Sequence, residues 1–140
     1  PVAAVSPLMI TTSPAWRYSG ADEMALTPGI LSGSTHGKPI DVTSTTSGAA
    51  DTIHTGVASA TNIDFLWLDA TNDSAADVDL YLGWGGVSAA ETLGPITIPA
   101  NGGSKRVAER SPIRNSLVVK AWASSASDIK ITGYKQAYTA

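Results

Sequence analysis

Along most of this chain apolar and polar residues alternate in short runs, and Gly, Pro, Asn or Ser cuts each run before a helix could form. The clearest run is 77–82 (DVDLYL). Val78, Leu80 and Leu82 point one way and Asp77, Asp79 and Tyr81 the other, the period of a half-buried strand. Residues 116–123 (SLVVKAWA) alternate further, directing Leu117, Val119, Ala121 and Ala123 to the core and Lys120 and Trp122 away from it. In 128–133 (DIKITG), Ile129 and Ile131 face inward. The most apolar run is 62–69 (NIDFLWLD); its stretch from Phe65 to Leu68 reads as a strand covered on both faces, with Trp67 in the core. Shorter strands are expected at 38–42, held to an edge or a strand start by Pro39, and at 51–55, 96–98 and 105–107. This makes about eight strands between 38 and 137, with turn signals every ~8–12 residues and no helical stretch of three turns. The fold class that follows is all-β, an antiparallel β-sandwich or jelly-roll-like domain.

Residues 1–35 break the pattern. Pro1, Pro7, Pro14 and Pro28, with Gly20, Gly29 and Gly33, punctuate a stretch without sustained period. One short strand fits 5–10 (VSPLMI), and at most one helical turn fits 22–26 before Pro28. We read 1–35 as an extended N-terminal arm and 36–140 as the sandwich domain; a first strand with a long loop is the alternative. A chain of 140 residues is long enough for one domain with a real core.

Composition narrows the chemistry. No apolar run is long enough to span a membrane, and no basic-then-apolar leader is visible, so no membrane association is expected. Pro1 reads as the residue left after removal of an initiator Met, which places synthesis in the cytoplasm. The absence of Cys removes thiolate metal sites and cysteine nucleophiles, and a net charge of −3 argues against a nucleic-acid partner. His36 and His54 are the only histidines, in separate segments; His36 reads as a loop residue and His54 as a strand surface residue. Without a Gly-x-Ser-x-Gly elbow, nothing nominates a Ser-His-Asp site, and no catalytic residue is expected. Asp69, Asp73, Asp77 and Asp79 with Asn72 fail the EF-hand pattern, because Ser74 stands where Gly is needed and Leu80 where the bidentate Glu belongs. They read as a solvated hairpin loop, so no metal and no cofactor is expected. Asn72-Asp73-Ser74 also matches a glycosylation sequon. Gly83-Trp84-Gly85-Gly86 lacks the helix and Lys of a phosphate loop and reads as a bulge or a close backbone approach.

Four Trp and four Tyr against one Phe is the more informative imbalance, since Trp and Tyr are enriched at interfaces. Trp16 and Tyr18 share one face of the arm, Trp84 sits in the Gly-rich bend, and Trp122 lies opposite the core face of its strand. Lys105, Arg106, Arg110 and Arg114 gather cations that could meet an acidic neighbour, or simply guard a sheet edge. The candidate interface is therefore Trp16, Tyr18, Trp84, Trp122, Arg106 and Arg110.

The stretch 61–134 resembles small virion proteins of tailed bacteriophages. The resemblance is carried by DFLWL at 64–68, the acidic strand running into LGWGG at 82–86, ITIPANGG at 96–103, and the closing pair SLVVKAWA at 116–123 and DIKITGY at 128–134. It implies a compact β-sandwich, usually oligomeric, that decorates or cements capsids or sits on neck and tail structures and has no catalytic residues. The expectation is thus a non-enzymatic virion component made in the host cytoplasm. Its partners would be the major capsid protein or other virion proteins and further copies of itself, bound through the arm and aromatic contacts. A carbohydrate-binding sandwich in an adhesion component is the alternative, with Tyr81, Trp84 and Trp122 as stacking platforms.

Overall fold

The computed structural model describes residues 25–140. They form nine strands: β1 (Ala25–Gly29), β2 (Ile40–Val42), β3 (Asp51–Thr55), β4 (Ile63–Asn72), β5 (Val78–Trp84), β6 (Thr92–Ile98), β7 (Gly103–Ile113), β8 (Val118–Ala123) and β9 (Ile129–Thr139). Among the described residues helix is limited to two single 3-10 turns, Ser47–Ala49 and Ala89–Glu91. No helix among the described residues is long and apolar enough to cross a membrane.

The pairing has a simple logic. β5 pairs with β6, β4 with β7, β3 with β8 and β2 with β9, all antiparallel, as one long nested hairpin. The hairpin is then rolled so that β4 also lies against β9 and β5 against β8. Two sheets result, β1-β9-β4-β7 with β2 also on β9, and β3-β8-β5-β6. This is the strand order of a jelly roll. β1 and β2 share one side of β9, β2 against Ile129–Ile131 and β1 against its last residues from Lys135 to Thr139.

Alternation delivers the core. Leu66, Leu68 and Ala70 from β4, Val78, Leu80 and Leu82 from β5, Val119, Ala121 and Ala123 from β8, and Ile129 and Ile131 from β9 form one buried cluster. Fully burying a side chain such as Leu80 stabilises by roughly 1.5–3 kcal/mol. The inward positions expected in 77–82 and 128–133 are the observed ones.

Four expectations need correction. The sandwich starts before residue 36: Ala25–Gly29 pairs with β9, Leu31 is in the core, and Leu26 lies in a strand rather than a helical turn. Pro28 is accommodated because β1 is an edge strand. Trp67 is not in the core. β4 turns its even-numbered residues inward from Asp64 to Asn72, which leaves Phe65 and Trp67 half-buried on the outer face. His54 is not on the surface but 1% exposed, because a register shift between Thr52 and His54 lets consecutive Ile53 and His54 both face inward. Leu117 follows the alternation of β8 but lies beyond the end of the strand, where it is 46% exposed.

Candidate functional site

Among the described residues, three places bring chemistry-bearing side chains together, and they differ in what they can do. The first is interior. His54 on β3 meets Asp64 on β4 across the sandwich, Nε2 to Oδ2 at 2.8 Å, with both side chains buried. The Ser32 amide N–H donates to His54 Nδ1 at 3.0 Å, so the imidazole carries its proton on Nε2 and donates it to Asp64. Lys135 Nζ lies 3.7 Å from the same carboxylate oxygen, while Asp64 Oδ1 has no hydrogen-bond partner. A histidine oriented by a carboxylate is the back half of a nucleophile-activating site. Here the front half is taken: the nitrogen that would accept a hydroxyl proton already accepts the Ser32 amide, and the pair ties β3, β4 and the segment after β1 together. His36, the other histidine, sits in an exposed turn with φ 55°.

The second place is the pair of outer sheet faces. On one, Trp67 and Tyr134 stack at 5.0 Å with rings 4° from parallel, Arg110 lies over Phe65 at 5.8 Å, and Arg106 Nε bonds Asp69 at 2.5 Å. Asp69's hydrogen bond, then its charge, holds the Arg106 guanidinium above its ordinary range. Tyr134 is 43% exposed. On the other face Tyr81 and Trp122 stack at 5.4 Å, and Trp122 is only 8% exposed. Trp122 is therefore a packed residue, and among the described residues the exposed aromatic is Tyr134, stacked on half-buried Trp67.

The third place is the end of the sandwich where β5 gives way to the 85–91 connection and β7 to β8. Gly85 adopts φ 88°, a conformation that side chains rarely take, and the Ala89–Glu91 turn is closed by a capping box between Ser88 and Glu91. The hydrogen bonds from the Ser88 side chain and backbone hold the Glu91 carboxyl below its usual range. The Trp84 ring reaches across to the other sheet and its Nε1–H donates to the Pro112 carbonyl at 2.9 Å. The β7–β8 connection is a two-residue turn with Asn115 and Ser116 both at positive φ, which presents Leu117 outward. An open groove of about 580 Å³ results, walled by Ile63, Trp84, Pro112, Ile113 and Leu117 with Arg114 at its rim. Trp84 also walls a second groove of about 360 Å³ with Leu93 and Val107, and Leu117 a third of about 260 Å³ with Val87 and Val118. Apolar side chains thus gather around a half-buried Trp, with Leu93 and Leu117 exposed beside it and Glu91, Ser111, Arg114 and Asn115 interspersed among them.

Of the interface residues expected from sequence, the structure places Trp84 at the centre of this end and Arg106 and Arg110 on the Trp67–Tyr134 face. Trp16 and Tyr18 lie outside the described residues. Leu117, Leu93 and Tyr134 were not among the expected interface residues; Asn115 and Ser116 before Leu117 were the available turn signal. The expected hairpin loop is instead a crossing from β4 in one sheet to β5 in the other, and its aspartates are engaged singly: Asp73 with Lys130, Asp77 with the Ala100 amide and Asp79 with Thr97. The Asn72 side chain is buried and bonds the Ala76 and Ile98 carbonyls and the Ser74 amide, so in the folded protein it has no surface to take a glycan.

What fold and site together define is a jelly-roll sandwich with a closed interior and a Trp-centred apolar end. Comparison with family models, curated proteins and solved structures finds no match.

Proposed function

We propose that the protein is a non-enzymatic structural component of a tailed-bacteriophage virion, a head decoration or cement protein that binds the capsid lattice as a homo-oligomer. It is made in the host cytoplasm and works on the particle. The observation that carries this reading is the apolar end around Trp84. Interface energy concentrates in a central Trp, Tyr or Arg ringed by contacts that exclude water, and Trp84 between Leu93 and Leu117 has that arrangement. Jelly rolls serve as viral capsid domains and as lectins, which is consistent with the reading but does not select it. Burying roughly 800 Å² per subunit is an ordinary specific interface, and many copies on one lattice add avidity.

A neck, tail or adhesion component that binds carbohydrate is the second reading, favoured by the exposed Trp67–Tyr134 stack with Arg106, Asp69 and Arg110 beside it. Tyr81 and Trp122 suit it less, since each covers the other.

The test is add-back to particles that lack the protein. Wild type should fill its sites, and Leu117→Ser with Leu93→Ser, at exposed positions that leave the core intact, should bind at least about tenfold more weakly. Trp84→Ala should weaken binding further. Equal occupancy by the double variant, or a wild-type protein that ignores particles and binds a glycan array through Trp67 and Tyr134, would overturn the first reading.

A further inference from the structure

The interior cluster at His54 and Asp64 includes a primary amine. Lys135 on β9 lies opposite buried Leu66 on β4, so its side chain starts on the inner face of the sheet. It also lies opposite Gly29 on β1, and a Cβ at Gly29 would sit 2.9 Å from Lys135 Cε. The missing side chain at Gly29 is thus the slot through which the lysine stem passes. Asp64 stands two residues before Leu66 on β4 and is a diagonal neighbour of Lys135 across the ladder, which brings Nζ to 3.7 Å from Oδ2.

The two oxygens of Asp64 are not equivalent. Oδ2 accepts the His54 Nε2–H at 2.8 Å, and the Ser32 amide bonded to Nδ1 keeps that proton on Nε2. Oδ1 is buried and has no hydrogen-bond partner among the described residues. One oxygen held by a fixed donor, the other unheld, and an amine beside them are the parts of an acyl-transfer site: an oxyanion donor, a leaving oxygen and a nucleophile. Fixed neighbours on two paired strands also replace a bimolecular encounter with an intramolecular one. Burial favours the neutral product, because an amide between the sheets needs less solvation than an ammonium and a carboxylate there.

We propose that Lys135 and Asp64 join in an intramolecular isopeptide bond whose formation His54 assists. One proton passes from Nζ to the carboxylate and rests on Oδ1, leaving a neutral amine and a carboxylic acid. The Nζ lone pair bonds to Cγ, and the charge that develops on Oδ2 is met by the His54 Nε2–H. The Cγ–Oδ1 bond then breaks, and Oδ1 leaves as water with a second proton from Nζ. Oδ2 becomes the amide carbonyl, and no oxidant, reductant or co-reactant is consumed. Freshly folded protein holds the unlinked cluster, and the bond accumulates on standing. It closes a loop from residue 64 to residue 135 and fastens the last strand to β4. That restrains the unfolded chain as a disulfide would, in a chain without cysteine. This inference needs only the cluster and not the virion reading.

The test is the intact mass of the full chain. Purified protein is kept at physiological pH and temperature for weeks and sampled, with near-ultraviolet circular dichroism to verify that it stays folded. Wild type should become lighter by one water. A tryptic digest should then contain residues 131–140 uncleaved after Lys135 and linked to the peptide that carries Asp64. Asp64→Asn should lose one ammonia instead and reach the same final mass, and Lys135→Arg should keep its full mass. His54→Ala should form the bond at least about 10²-fold more slowly, as loss of an oxyanion donor requires. Folded wild type that keeps its full mass throughout would overturn the proposal. So would a water lost equally from Lys135→Arg, or a link mapped to another carboxylate.

Discussion

Replacing His54 by Ala is expected to destabilise the fold by about 3–5 kcal/mol, lowering the melting temperature by on the order of 10 °C. The residue is 1% exposed and makes two directed bonds, donating from Nε2 to Asp64 and accepting the Ser32 amide at Nδ1. Its removal leaves the Asp64 carboxylate between the sheets, with Oδ1 already unpartnered and only Lys135 at 3.7 Å to offset its charge. Removing the hydrogen-bond donor of a buried carboxylate leaves that group's desolvation uncompensated, whereas replacing both groups by apolar ones costs little. His54→Leu with Asp64→Leu should therefore recover most of the loss, and Asp64→Asn, which keeps an acceptor for Nε2–H, should cost less than His54→Ala. Chemical denaturation of the four proteins measures this. A loss below about 1 kcal/mol in His54→Ala, or a double variant no better than the single, would show that the pair is not the interior tie between β3 and β4.

Gly133→Ala is expected to be the most damaging glycine substitution in the sheets, costing about 1–3 kcal/mol or more through overpacking. Gly133 pairs with Leu68 in the middle of the β4–β9 ladder. A Cβ added there would run into the Trp67 carbonyl oxygen, with the Leu68 Cα 3.1 Å away. Both obstacles are backbone, so no rotamer relieves them and the strands themselves must part. Trp67 and Tyr134 flank this point, so their stack should loosen with it. Gly48→Ala is the control: a Cβ there meets nothing within 4 Å, and the change should stay within about 0.5 kcal/mol. Thermal unfolding separates the two, and near-ultraviolet circular dichroism reports the stack; comparable midpoints would contradict the close approach of β4 and β9.

What could be read in the sequence follows from where burial and polarity coincide. Val78, Leu80 and Leu82, and Ile129 and Ile131, alternate with polar residues, so one face is unambiguous. In β4 the coincidence fails: buried Asp64 and Asn72 occupy inward positions while Phe65 and Trp67 occupy outward ones, so the register cannot be inferred from hydrophobicity. β7 extends over Gly103–Ile113, far beyond the expected 105–107, because its polar sequence follows β4 through two register shifts that erase the period. His54 was hidden by the register shift in β3. The Trp84 end was half legible. The Gly-rich bend marked Trp84, but its meeting with Ile63, Pro112 and Leu117 depends on strand order, which turn spacing does not encode.

On the proposed reading, the molecule works by surface adhesion at the Trp84 end. Imaging the protein in place on its native particle at side-chain resolution tests it most directly. The expected density shows repeated copies on a protein lattice, with Trp84, Leu93 and Leu117 against a neighbouring chain. Copies with that end facing solvent, or no copies on the particle at all, would contradict it.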